Sequence, residues 1–314
     1  MPPNVLRCVC LTGPTACGKT ELALELAERI PLEIVSMDSA MVYRGLDVGT
    51  AKPSRAKRDR VPHHLIDILD PAEPYSAGRF ARDADTAIRG VAARGRLPLL
   101  VGGTLLYLRA LRDGLASLPR ADAELRARLD TEAALAGWEA LHARLAAIDP
   151  AAAARIAPAD RQRIQRALEV HELTGRTLTE LQRGPAERTG IEILTIAVVP
   201  ESRADLGERV ERRFDAMVAA GFVAEVEALR RRGDLDPSLP ALRAVGYRQI
   251  WAHLDGATDW PEARRRAIVA TRQLAKRQLT WLRGEASGER WPAFAADLPE
   301  RLAAAVARFQ PAPP

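Results

Sequence analysis

Eight consecutive residues, Gly13-Pro14-Thr15-Ala16-Cys17-Gly18-Lys19-Thr20, match G-x-x-x-x-G-K-[ST] at every fixed position. This is the spacing that holding a phosphate chain requires. Glycines let the backbone wrap so that successive N–H groups point inward. The N-terminus of the helix that follows adds positive potential. Lys19 supplies a cation and Thr20 a hydroxyl for Mg²⁺. The motif lies between an apolar run, Val5–Thr12, and a helical pattern, Glu21–Ile30, which is the strand–loop–helix context it needs.

A second apolar run, Ile34–Met37, ends in Asp38, and a third, Leu97–Val101, ends in Gly102-Gly103-Thr104. A P-loop triphosphatase usually carries a strand-end Asp that holds Mg²⁺. The third run has no acid there, so the loop need not hold a nucleotide's phosphates. In open α/β sheets ligands bind outside the carboxyl ends of the strands. Asp38 and the phosphate loop are therefore expected to face one crevice. Two roles compete for the Asp38 oxygens: a base towards substrate, or the cap of a helix starting at Ser39. Lys52, in the turn-rich stretch Gly45–Pro53, reads as a phosphate-path lysine or, taken alone, as a solvated one.

Strand–helix–strand order with continuous apolar runs predicts an α/β fold: a P-loop parallel sheet core with helices on both faces. An all-helical insertion and a helical C-terminal region accompany it. After Leu118-Pro119 the chain turns Ala-, Leu- and Arg-rich without a convincing strand up to about Arg183, and a strand returns at Ile191–Val199. The expected divisions are 1–118 for the core, 119–188 for the insertion, and 189–314 for the return to the core and the helical tail. Gln310–Pro314 reads as a frayed end. The 314 residues are 47% apolar with a net charge of +5. That excludes disorder and low-complexity classes. No apolar run approaches the ~18 residues of a membrane span, and Met1–Arg7 is too short and polar for a signal peptide. A cytoplasmic monomer is expected. Cys8, Cys10 and Cys17 have no second cluster to pair with; Cys8 and Cys10 read as small hydrophobes in a buried strand. Adjacent His63 and His64 have no ligand spacing, and Trp251, Trp260 and Trp281 read as packing residues.

Taken in order, several segments resemble the bacterial tRNA dimethylallyltransferase family: Gly13–Thr20; Asp38–Arg44 with Gly-x-x-x-Gly-Thr-Ala-Lys-Pro at 45–53; Gly102-Gly103-Thr104-x-x-Tyr107; Gln162–Glu169; Arg243–Gln249; and Ala270–Gln278. The resemblance spans nearly the whole chain. It implies transfer of a dimethylallyl group from dimethylallyl diphosphate to N6 of the adenosine immediately 3′ to the anticodon, in tRNAs reading codons that begin with U. The partners it implies are the tRNA anticodon stem-loop and dimethylallyl diphosphate. Cys17 stands where many members have Ser, and Met41 where members have Gln or an apolar residue.

An exocyclic adenine amine is a weak nucleophile, so a base that takes its proton helps, typically by ~10²–10⁴-fold. Asp38 is the candidate by position and by resemblance, with Thr104 to orient it or the amine. Departing diphosphate needs backbone N–H groups, Lys19, Mg²⁺ at Thr20 and an arginine. The resemblance adds Thr15 and Arg213 at this end. It also implies RNA contacts at Asp38, Ser39, Ala40, Met41 and Thr104, at Arg126, at Gln162, Arg163, Ile164, Gln165 and Arg166, and at Arg243, Ala244, Val245, Gly246, Tyr247 and Arg248. Independently, Arg265, Arg272, Lys276 and Arg283 fall within roughly 40° of arc at ~100° per residue. Ile268, Thr271, Ala275 and Leu282 form a separate apolar side. A phosphate-facing stripe and an ordinary solvated face both fit that pattern. Competing functions are a small-metabolite P-loop kinase, a prenyltransferase for free nucleotides, and an RNA-binding module switched by a nucleotide.

Overall fold

The computed structural model describes residues 5–116, 118–184, 189–285 and 288–310. Among the described residues, six strands form one sheet: β1 (Arg7–Thr12), β2 (Leu32–Ser36), β3 (His63–His64), β4 (Leu97–Gly102), β5 (Glu192–Val199) and β6 (Glu289–Pro292). Their order is β3-β2-β4-β1-β5-β6, and every neighbouring pair is parallel. The long apolar runs became strands because both faces are covered. On β1, Val9 and Leu11 join one core with Leu99 and Ile196, while Cys8 and Cys10 join the other with Val35 and Leu100. The helices Lys19–Ala27 and Leu298–Phe309 bury Leu22, Leu26, Leu302 and Val306 in the first core. Ala77–Ala93 buries Phe80, Ala84 and Ile88 in the second. The buried thiols behave as expected of small hydrophobes; burial pushes the Cys8 thiol up to about 12.

Three elements were not legible in the runs. β3 and β6 are two and four residues long and lie at the two sheet edges, and β6 buries Trp291 in the first core. The helix Leu298–Phe309 follows β6 and closes the first core. Residues 311–314 of the stretch read as frayed lie outside the described residues. A third core joins Val42, Tyr43 and Leu46, from the segment after β2, to Phe214, Phe222, Tyr247, Trp251 and Ile268 of later helices. No helix among the described residues is long and apolar enough to cross a membrane.

The chain divides into two compact units, Met1–Arg112 with Thr189–Pro314, and Asp113–Arg188. The second is helical: Ala123–Ala136, Trp138–Ile148, Pro150–Ala153, Arg161–Thr174 and Leu178–Gln182 pack around Leu129, Leu141, Leu145, Ile164 and Leu168. Asp122, Asp149 and Asp160 cap helix N-termini through their carboxylates, and Gly175 closes Arg161–Thr174 in the left-handed conformation.

Candidate active site

The phosphate loop leaves β1 pressed against β5. Gly13 has φ +150°, and a Cβ there would sit 2.3 Å from the Val198 carbonyl oxygen, so only glycine fits. Ala16 is held at φ +65°, a strained value for a residue with a side chain and one that clusters at ligand sites. Lys19 Nζ donates to the Gly13 and Pro14 carbonyls at 3.0 and 2.7 Å. Burial pulls the Lys19 ammonium down to about 8; the Arg213 charge adds to this, while Cys17 and Asp38 oppose it. The loop is also held from outside. Gln278, on the long helix Trp260–Gly284, accepts from the Thr15 N–H at 3.0 Å and donates to the Gly103 carbonyl at 2.9 Å. Thr15 therefore has its hydroxyl, not its amide, to offer an anion.

Asp38 follows β2, and its setting depends on the next strand. A Cβ on Gly102 would sit 2.0 Å from the Met37 carbonyl oxygen, so the end of β4 lies flush against the residue before Asp38. Met37 donates to the Val101 carbonyl at 2.8 Å, and Thr104 donates back to Met37 at 3.3 Å. Residues 39–42 form a turn rather than a helix. Asp38 Oδ1 accepts from the Ala40 and Met41 amides at 2.8 and 3.3 Å, and Thr104 Oγ1 accepts from the Ser39 amide at 3.3 Å. Asp38 Oδ2 accepts no hydrogen bond among the described residues. One Asp38 oxygen thus caps the turn, and the other is left unengaged among the described residues.

A cavity of about 690 Å³ joins these groups. Thr15, Ala16, Cys17, Gly18, Lys19 and Thr20 line one end, with Asp38, Met41 and Arg213. Ile34, Val48, Ile66, Met217 and Leu274 supply an apolar wall. Arg213 donates to the Thr50 carbonyl at 3.4 Å; burial lowers its pKa and the nearby Asp38 charge opposes this. Gly13 and Pro14 are buried beneath the loop, and Thr104 stands behind Ser39 rather than in the wall. Lys52 is neither solvated nor free. Its side chain is 2% exposed and ion-paired to Asp47 and Asp67. His63 Nδ1 donates to the Val61 carbonyl and His64 Nε2 to the Glu33 carboxylate, both at the sheet edge.

The expected RNA contacts divide by burial. In the helical unit, Ile164 is fully buried and presents no side chain to a partner. Arg126 and Arg166 both grip Glu169, which is fully buried; Arg166 also donates to the Pro119 carbonyl. Burial would raise the Glu169 pKa, but the two guanidiniums and the Asp122 amide more than offset it and hold it below the usual range. Gln165 donates to Asp130 and to the Arg126 carbonyl. Gln162 and Arg163 are exposed, and Arg163 leans on Asp160 at 3.4 Å. In the larger unit, Arg243 and Arg248 are exposed, and Ala244 and Val245 half-buried. Gly246 and Tyr247 are buried, with the Tyr247 hydroxyl donating to Glu225. Ile164 and Tyr247 therefore hold the core and offer no side chain to RNA.

The helix Trp260–Gly284 buries Ile268, Ala275 and Leu282, as its apolar side predicts. Of its basic side, Arg265 pairs with Glu262 and Arg272 with Glu211. The Lys276 and Arg283 side chains have no hydrogen bond or ion pair among the described residues. Trp251 is buried in the third core, Trp260 packs against it, and Trp281 is 37% exposed. The residues that sequence reasoning left without a role are Gln278, Glu225, and the wall residues Met217 and Leu274; Leu274 and Gln278 lie in the Ala270–Gln278 segment that carries the resemblance, while nothing in their spacing distinguishes Met217 and Glu225 from ordinary helix positions.

The family model described as IPP transferase matches residues 41–285. A tRNA dimethylallyltransferase of Halorhodospira halophila is 60% identical over 95% of this chain and 95% of its own length. One from Alkalilimnicola ehrlichii is 60% identical over 93% of each. Among solved structures, the full-length tRNA isopentenylpyrophosphate transferase of Bacillus halodurans aligns with a TM-score of 0.71 at 37% identity, covering 97% of this chain and 96% of that one. A eukaryotic dimethylallyltransferase described as acting on tRNA aligns with a TM-score of 0.70 at 25% identity, covering 88% of this chain and 69% of that one. On the breadth of these matches, the chain belongs to the IPP transferase family, that of the tRNA dimethylallyltransferases.

Proposed function

We propose that the protein transfers the dimethylallyl group of dimethylallyl diphosphate to N6 of the adenosine immediately 3′ to the anticodon, in tRNAs reading codons that begin with U, and releases diphosphate. The observation that carries this reading is one cavity holding a phosphate loop, a carboxylate with an unengaged oxygen and an apolar wall. The phosphate loop alone fits a kinase. The apolar wall fits an isoprenoid, and β4 ends in two glycines where a triphosphatase would have its acid. Membership of the family supports tRNA as the acceptor.

The chemistry follows from the positions. The N6 lone pair forms a bond to C1 of the dimethylallyl group, while the C1–O bond breaks and its electron pair leaves with diphosphate. The N6 proton passes to Asp38 Oδ2. Lys19, Arg213, the Thr15 hydroxyl and the loop amides bear the charge that develops on the leaving oxygens. The Thr20 hydroxyl lines the cavity beside Lys19 and has no hydrogen bond among the described residues, so it is the group that would hold Mg²⁺. When bound, that ion neutralises charge on the departing diphosphate. The adenosine must leave its stack to enter the cavity, at a cost of a few kcal/mol, so the exposed cations of both units are the candidates for gripping the RNA. Incubation with prenyl-labelled dimethylallyl diphosphate, unmodified tRNA and Mg²⁺ should place label in the RNA. ATP hydrolysis without labelled RNA would support a kinase or a nucleotide switch instead.

A further inference from the structure

The segment between β2 and β3 forms one side of the cavity through Asp47, Val48, Ala51 and Lys52, and it is held with unusual thoroughness. The Glu225 carboxylate, on the helix Phe222–Arg231, accepts from three successive amides: Oε2 from Asp47 and Val48 at 2.8 and 2.7 Å, and Oε1 from Gly49 at 3.0 Å. Oε1 also accepts from the Tyr247 hydroxyl at 2.5 Å. Three consecutive N–H groups converging on one anion form a backbone nest, here filled by the protein's own side chain. Gly49 is wedged so tightly that a Cβ would sit 2.0 Å from the Phe222 ring and 2.6 Å from that of Tyr247. Ala51 is forced to φ +53°. Strain of this kind persists only where the surroundings over-determine it, and it clusters at ligand sites. The Thr50 carbonyl receives the Arg213 guanidinium, which links the same segment to the diphosphate end.

We infer that Glu225, with Tyr247 as its second anchor, is a positioning residue for the prenyl donor: it fixes the Val48–Ala51 wall and so sets donor affinity and the chain length the cavity admits. This rests on the transferase reading above. It also gives Tyr247 a role inside the protein, in place of one towards RNA.

The test compares Glu225→Gln and Tyr247→Phe with the parent protein. Steady-state kinetics would use dimethylallyl diphosphate and the ten-carbon geranyl diphosphate as alternative donors, with tRNA varied separately. Glutamine keeps one accepting oxygen but turns an NH₂ towards the nest. With bonds to a charged acceptor lost, KM for dimethylallyl diphosphate should rise about tenfold, while kcat and KM for tRNA stay within about twofold. Use of geranyl diphosphate relative to dimethylallyl diphosphate should increase. Tyr247→Phe, losing one bond of four, should move the same two quantities in the same direction by less. A purely structural Glu225 would lower kcat through a smaller folded fraction, leaving donor KM and the donor ratio unchanged. That result in both variants overturns the inference. A parent protein that fails to label tRNA at all would instead overturn the transferase reading.

Discussion

Gln278 holds the backbone of Thr15: the Thr15 N–H reaches Gln278 Oε1 at 3.0 Å, and the same side chain donates to Gly103 at 2.9 Å. One amide thus spans the phosphate loop at the end of β1 and the glycine pair at the end of β4. Gln278→Ala removes two neutral hydrogen bonds, each worth about 0.5–1.5 kcal/mol net. A loss of about 1–3 kcal/mol of stability or of diphosphate binding is expected. Denaturant titration and calorimetry with diphosphate would read it. Unchanged values in both would show that the loop keeps its shape without the clamp.

Lys19 should make donor binding pH-dependent. Its unfolded pKa is near 10.5 and its folded one about 8. Between those values the unfolded chain holds the proton more tightly, so Lys19 contributes stability that rises with pH across that window. An anion needs the charged ammonium, so ligand affinity runs the other way. Kd for diphosphate should weaken roughly tenfold from pH 7 to pH 9 through this group. Lys19→Arg, charged throughout, should lack that step. The same pH dependence in both proteins would assign it to another group.

The sheet, its parallel order and the loop were legible because each depends on local signals: continuous apolar runs, a fixed glycine spacing, and an acid at a strand end. Asp38 could be placed at the crevice, but not its division of labour, since which oxygen caps a turn depends on where the Ala40 and Met41 amides fall. The edge strands escaped because runs of two and four residues are too short to carry a pattern. Gln278 and Glu225 escaped because their partners lie 263 and about 176 residues away. Arg126 and Arg166 are RNA contacts by resemblance; that both are also engaged by a carboxylate, Glu169, could not be read, because sequence does not show Glu169 to be buried.

That burial yields a stability prediction. Glu169→Gln leaves two guanidiniums without their anion, and breaking a buried pair costs about 3–5 kcal/mol. The partial exposure of Arg126 and Arg166 (40% and 27%) points to the lower end. With its folded pKa depressed, Glu169 contributes fully above about pH 4.5, and that contribution is lost as pH falls through the folded value. Chemical unfolding at neutral pH and at pH 3 would check both. A variant as stable as the parent would mean that the two arginines find other partners.

For RNA binding the clean probes are exposed cations whose loss disturbs little else. Lys276→Ala and Arg163→Ala should each lower the slope of log K against log salt by about one. Arg166→Ala should chiefly destabilise the protein. Filter binding of tRNA from low to moderate salt gives the slopes, and an unchanged slope would place that residue off the interface.

The central claim is that Asp38 takes the proton of an amine brought to a prenyl diphosphate. Asp38→Asn isolates it, because an amide oxygen still accepts from Ala40 and Met41 and preserves the turn. In single-turnover transfer from pre-bound dimethylallyl diphosphate to tRNA, the rate constant should fall at least about 10²-fold, with both dissociation constants within about twofold. A variant that transfers at nearly the parent rate would contradict the account.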